Sequence, residues 1–145
     1  MRITSEHINE NGCIDGLREQ NAVVVGLSYR EGGAFCMDLL RVDGHVGKLT
    51  LSLINQFGFR GFRNGCVVSR IRAWPPLHTP TCEAATQKGA WAVLYGNDIP
   101  VEHLPPILIH VRDSASESSA FLVHVDSSYG GSFAALCGAI DLEDC

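Results

Sequence analysis

From Ala22 onward the apolar residues recur mainly at every second position, and a period of two marks strands that turn one face to a core. The register of the first hairpin shows how much this constrains. Ala22–Tyr29 is nearly all apolar and reads as a buried strand, Arg30-Glu31-Gly32-Gly33 is a turn, and Ala34–Val42 returns. Asp43-Gly44 is a hairpin signal, and Val46–Ile54 follows it. Leu49, Leu51 and Leu53 must share a face with Phe35, Met37 and Leu39 if one face is to be core. A two-residue Asp43-Gly44 loop would set Leu51 against Cys36 and turn the leucine row outward. The pattern therefore predicts a three-residue Asp43-Gly44-His45 loop or an adjacent bulge, with Leu49, Leu51 and Leu53 opposite Leu39, Met37 and Phe35.

The rest of the chain continues in short strands. Asn55–Gly65 reads as a glycine- and aromatic-containing loop, Cys66–Trp74 as the next strand, and Pro75–Gly89 as a long irregular stretch. Ala90–Tyr95 reads as a short strand. Ile107–Arg112 and Ala120–Asp126 form a second hairpin around the polar loop Asp113–Ser119, and Ser132–Leu142 is a last strand or a short helix. In the polar N-terminal segment 1–21, residues Ile8, Cys13, Ile14 and Leu17 can line one side of a short helix, although Gly12 and Gly16 each cost it about 1 kcal/mol. A chain of 145 residues suits a single domain, 1–145, with a β-rich core over 22–142. About eight strands in hairpin succession predict a mainly β fold, an antiparallel sandwich or a partly closed barrel with at most one short terminal helix.

The segment Leu49–Trp74, with its Gly58-Phe59-Arg60-Gly61-Phe62-Arg63 turn, resembles small uncharacterised bacterial β-domains, including products of mobile gene cassettes. The resemblance covers about a fifth of the chain and implies no activity.

The sequence opens on polar residues with no apolar stretch behind Met1, and no window approaches the run of about 20 apolar residues that a membrane span needs. We therefore expect a cytoplasmic protein without membrane contact. The six cysteines contain no C-x-x-C pair, which argues against a thiolate metal site and for reduced thiols used as small fillers, with Cys145 the exposed one. There is no G-x-S-x-G elbow, no phosphate loop and no G-x-G-x-x-G fingerprint, so the reading leans away from an enzyme and implies no cofactor. His78 and Cys82 are close in sequence, which is poor evidence for a catalytic dyad.

Charge is segregated. The formal net charge of −5 hides a stretch from Gly44 to Cys82 with no acidic residue, in which Lys48, Arg60, Arg63, Arg70 and Arg72 contribute five positive charges. On the strand Cys66–Trp74 the even positions Val68, Arg70, Arg72 and Trp74 share a face. Two guanidiniums one pleat apart beside an indole can clamp a carboxylate or phosphate; the same strand also reads as a solvated face whose Arg stems cover Trp74. Arg70, Arg72, Trp74, Trp91, Arg60 and Arg63 are thus the candidate ligand-binding set. His110, His124 and Asp126 fall together on the polar face of the late hairpin and are candidate metal ligands, although Asp126 and His124 on one strand stand about 7 Å apart.

Two functions follow as expectations. The first is a non-enzymatic interaction module that self-associates as a homo-oligomer, its basic stretch against the acidic tail Asp141–Asp144. The second is a small-molecule-binding barrel or sandwich that takes an anionic ligand at an Arg/Trp-lined pocket, with possible enzymatic activity there. Five cations in an acidic chain argue against nucleic acid as a partner.

Overall fold

The computed structural model describes residues 1–9, 11–14, 17, 20–54, 56–74, 90, 93–94, 121–128 and 131–144. Among the described residues it is mainly β, with nine strands in two antiparallel sheets that do not close into a barrel. The strands are β1 (Arg2–Ile3), β2 (Val23–Arg30), β3 (Ala34–Leu40), β4 (Val46–Ser52), β5 (Gln56–Arg60), β6 (Val68–Trp74), β7 (Phe121–Ser127), β8 (Ser132–Cys137) and β9 (Ala139–Asp144). The first sheet runs β1-β9-β4-β3-β2 and the second β5-β8-β7-β6.

Parity holds the sandwich together. Phe35, Met37, Leu39, Leu49, Leu51 and Ile140 of the first sheet face Ile71, Ala73, Val123, Val125, Phe133 and Ala135 of the second, all of them buried in one cluster. Phe133 stacks on Phe35 at 4.8 Å between ring centroids, across the sheet-to-sheet gap.

The first hairpin keeps the predicted faces but slips along its length. Phe35 pairs with Leu51, Met37 with Leu49 and Leu39 with Gly47. The loop has three residues, as expected, but they are Val42, Asp43 and Gly44, closed by the Arg41 N–H donating to the His45 carbonyl at 2.8 Å. Gly44 takes φ +87°, the left-handed conformation that such loops need. Leu53 therefore falls past the end of β4, with φ +56° and 72% of its surface exposed, rather than opposite Phe35.

Other elements depart from the expected ones. Gln56–Arg60, expected as loop, is strand β5, paired with β8. Its Gly58 marks a close approach rather than a turn, because a Cβ there would lie 2.9 Å from the Val93 carbonyl oxygen. The segment expected as one strand or a helix from Ser132 to Leu142 is two strands, β8 and β9, which cross from the second sheet to the first at Gly138. No α-helix forms among the described N-terminal residues. Ser5–His7 is a 3-10 turn, Ile3 and Ile14 join the core, and Gly12 lies on Trp74. Ala90, Val93 and Leu94, expected in a strand, have helical backbone, and their i, i+3, i+4 spacing packs all three on Trp74, Leu122, Ala134 and Leu136. Finally, the neighbours of β7 are β6 and β8, where the sequence had placed 107–112 beside it; residues 107–112 lie outside the described residues.

Gly12 tests this packing. It has φ +81°, and a Cβ there would meet the Trp74 ring at 2.4 Å. We expect Gly12→Ala to lower unfolding free energy by about 1–3 kcal/mol, read from denaturant midpoints at unchanged slope, with a shifted Trp74 signal in near-ultraviolet circular dichroism.

Candidate polar site on the outer face of the second sheet

Directly opposed residues of antiparallel strands share a face, so the pairings of the second sheet can be read as rows running across it. On the outer face one row is Gln56, Leu136, Leu122 and Trp74; the next is Gly58, Ala134, His124 and Arg72; the last is Arg60, Ser132, Asp126 and Arg70. In the first row Leu136, Leu122 and Trp74 are covered by Ala90, Val93 and Leu94. The other two rows carry the charge.

A bulge decides which side the arginines take. The β6–β7 register shifts between Val68 and Arg70, so Ser69 is the extra residue. Its hydroxyl donates to the Asp126 carbonyl at 3.1 Å. Val68, expected beside the arginines, is fully buried in the core instead, while Arg70, Arg72 and Trp74 share the outer face as predicted.

Two motifs read separately in the sequence thus become one site. Arg70 stands opposite Asp126 and Arg72 opposite His124. The Asp126 Oδ1 accepts the Ser132 hydroxyl at 2.9 Å and lies 3.2 Å from His124 Nε2. The backbone spacing that seemed to separate His124 from Asp126 is bridged by their side chains, which converge over the same pleat. That His–Asp contact has the distance of an ion pair but not the alignment of a hydrogen bond, so His124 Nε2 is buried and unpartnered. Arg72 Nε and Trp74 Nε1 share that condition.

Burial pushes the His124 pKa down. The Asp126 carboxylate opposes this, and the charges of Arg72 and Arg70 add to the lowering. His124 is therefore neutral at neutral pH, with two guanidiniums close enough for their fields to reach it. A positive field of this kind favours an anion over a cation.

The remaining candidates scatter. Trp74 is 2% exposed and serves as packing under Ala90, Val93 and Leu94, so its ring offers no open stacking face. Arg60 sits at the far end of the Ser132–Asp126 row, three strand spacings from Arg70. Arg63 lines a different feature, an open polar groove of about 320 Å³ with Gly61, Asn64, Cys66, Ser127 and Gly131. Trp91, His110, His78 and Cys82 lie outside the described residues. Among the described residues no group of three His, Cys, Asp or Glu side chains could hold a metal ion.

Ser132 was missed in the sequence, where it only opens the apolar segment Ser132–Leu142. The signal that finds it is the β7–β8 register, which sets it opposite Asp126. The expected basic block is also redistributed: Lys48 lies in the first sheet, paired in register with Asp38 and Glu143, and Arg2 holds Asp141 at 2.7 Å. No family model matches the chain, and neither does any curated protein or solved structure.

A depressed folded-state pKa means that below the ordinary histidine value near 6.5 the unfolded chain binds a proton that folded His124 refuses. Its contribution to stability is thus complete above that pH and falls away as the pH drops. We expect His124→Gln to lose less stability than the native chain between neutral pH and pH ~5, measured by urea unfolding at each pH.

Proposed function

We propose that the protein is a non-enzymatic binding module that takes a small carboxylate or phosphate on the Arg70/Arg72/His124 face of the second sheet. The observation that carries this reading is the pair of buried, unpartnered nitrogens, Arg72 Nε and His124 Nε2, beside the exposed Arg70. A buried donor without a partner costs about 1–3 kcal/mol, and an anion seated on this face would recover that cost. The neutral His124 can donate from Nε2, while Arg70 and Arg72 supply the charge. Neither arginine has an ion pair with a described residue, although Asp126 stands directly opposite Arg70.

The Ser132–Asp126–His124 contacts do not favour hydrolysis. In a serine triad the imidazole stands between hydroxyl and carboxylate, whereas here hydroxyl and imidazole both reach the same carboxylate oxygen. Ser132 instead holds Asp126 in place, which fixes the field at His124. Two guanidiniums a single pleat apart fit a small anion better than a polyanion. A reducing, cytoplasmic setting accords with Cys13, Cys36, Cys66 and Cys137 being free thiols, and no helix among the described residues is long and apolar enough to cross a membrane.

Isothermal titration with inorganic phosphate and with citrate, at low ionic strength, tests the proposal. Saturable binding to at least one is expected, weakened about tenfold or more by Arg72→Ala and by Arg70→Ala, with stability changed by about 1 kcal/mol or less in each variant. A native protein that binds neither probe, or variants that bind as well as the native chain, would overturn it.

A further inference from the structure

We infer that Asp126 selects the ligand of the Arg70/Arg72/His124 face: the oxyanion must carry an O–H of its own, as hydrogen phosphate and hydroxycarboxylates do and sulfate does not. The inference rests on the anion-binding reading and narrows the ligand class that reading leaves open.

The register builds the site as a small rectangle. Arg70 stands directly opposite Asp126 and Arg72 opposite His124, on adjacent strands of the second sheet. Opposed residues are about 5 Å apart, and residues two positions along a strand about 7 Å apart, so the four side chains rise from its corners. An oxyanion seated over the centre meets donors at three corners: the two guanidiniums and His124 Nε2, which is buried and unpartnered. At the fourth corner it meets a carboxylate, which can only accept.

That carboxylate is held where a ligand finds it. Its Oδ1 accepts the Ser132 hydroxyl at 2.9 Å and lies 3.2 Å from His124 Nε2. No described residue donates to Oδ2, and Oδ2 is not one of the buried unpartnered atoms, so it meets solvent. The Asp126 side chain is 38% exposed against 8% for His124. Ser132 thus occupies one carboxylate oxygen and leaves the other turned to whatever enters the face.

Charge and hydrogen bonding then discriminate together. The charges that reach His124 are those of Asp126, Arg72 and Arg70. Two guanidiniums against one carboxylate leave a single positive charge, which suits an anion that has kept a proton better than a fully ionised one. A ligand O–H donates to Oδ2 and makes the carboxylate a partner. An oxyanion without that hydrogen sets lone pairs against lone pairs across the same gap, and a site discriminates against a ligand that leaves its polar group unmatched. At neutral pH inorganic phosphate keeps at least one proton, whereas sulfate, with the same shape, keeps none.

Isothermal titration at neutral pH and low ionic strength compares two matched pairs of probes: inorganic phosphate with sulfate, and citrate with tricarballylate, which is citrate without its hydroxyl. In at least one pair the native chain should bind the member that carries an O–H about tenfold or more tighter, and which pair does so tells a protonated phosphate from a hydroxy acid. Asp126→Asn keeps an oxygen for Ser132 and turns an N–H to the ligand, so it should bring that ratio to about one, chiefly by tightening the poorer member. Equal binding within both pairs overturns this inference and leaves the anion-binding reading standing, as does a preference that Asp126→Asn leaves intact. A native chain that binds none of the four probes overturns both.

Discussion

Strands β7 and β8 are buried on both faces, and most of the molecule's arrangement follows from that. Their odd residues Phe121, Val123, Val125, Phe133, Ala135 and Cys137 fill the gap between the sheets, while Leu122, Ala134 and Leu136 lie under Ala90, Val93 and Leu94. A sheet with one wet face needs no second cover, and small residues on that face would be unremarked. Here the cover comes close enough that Gly58 is crossed by the Val93 carbonyl, and Trp74 is held between Gly12 and the apolar row. Burial in the gap between the sheets also makes inert what would otherwise be reactive: the Cys137 thiol is pushed up to about 12, chiefly by desolvation.

The apolar cover reaches Gly58 and Ala134 in the row that also holds His124 and Arg72, and His124 sits at its margin. It is 7% exposed, yet its neighbours across the strands are Arg72 on one side and Ala134 on the other. Low local polarity strengthens every Coulomb interaction there, which is why two arginines on the neighbouring strand lower the pKa of the imidazole. The same charges on the first sheet behave differently. Lys48 lies between acidic residues in register and Arg2 pairs with Asp141 near water, so those contacts add little to stability. Segregation along the sequence thus becomes pairing in the first sheet, while in the second Arg70 and Arg72 stand without an ion pair to any described residue.

What could be read from the sequence was parity, because it is local. The inward rows Phe35/Met37/Leu39, Leu49/Leu51 and Phe121/Val123/Val125, and the outward set Arg70, Arg72, Trp74, His124 and Asp126, all follow from a period of two. Partner choice was not legible. β6 and β7 are separated by the long stretch 75–120, and nothing in Cys66–Trp74 says that its neighbour is Phe121–Ser127 rather than a nearer segment. The meeting of Arg72 with His124 is a product of that non-local pairing, as is the bond from Ser132 to Asp126. β5 was lost because its central glycine reads as a turn, and the helical backbone of Ala90, Val93 and Leu94 because a continuous apolar run from 90 to 94 satisfies either period.

Parity alone, however, misplaces Val68. Val68 is in the core, and an unbroken alternation from it would carry Arg70, Arg72 and Trp74 into the gap between the sheets. The extra residue at Ser69 shifts the phase by one, so that Ile71 and Ala73 continue the core and both guanidiniums emerge on the far side. The bulge in β2 does the same work: Val24 is buried, Val25 is the extra, half-exposed residue, and Leu27 rather than Gly26 resumes the inward row. Gly26 then sits against Asp38, whose carboxylate oxygen would lie 2.8 Å from any Cβ placed there. Both bulges fall near the corner where β2 exchanges hydrogen bonds with residues 65–68, and extra residues at a corner also bend the strands toward one another. The irregularity that lets the two sheets join at that corner is therefore the one that turns Arg70 and Arg72 outward, and the polar site is a consequence of how the sandwich closes.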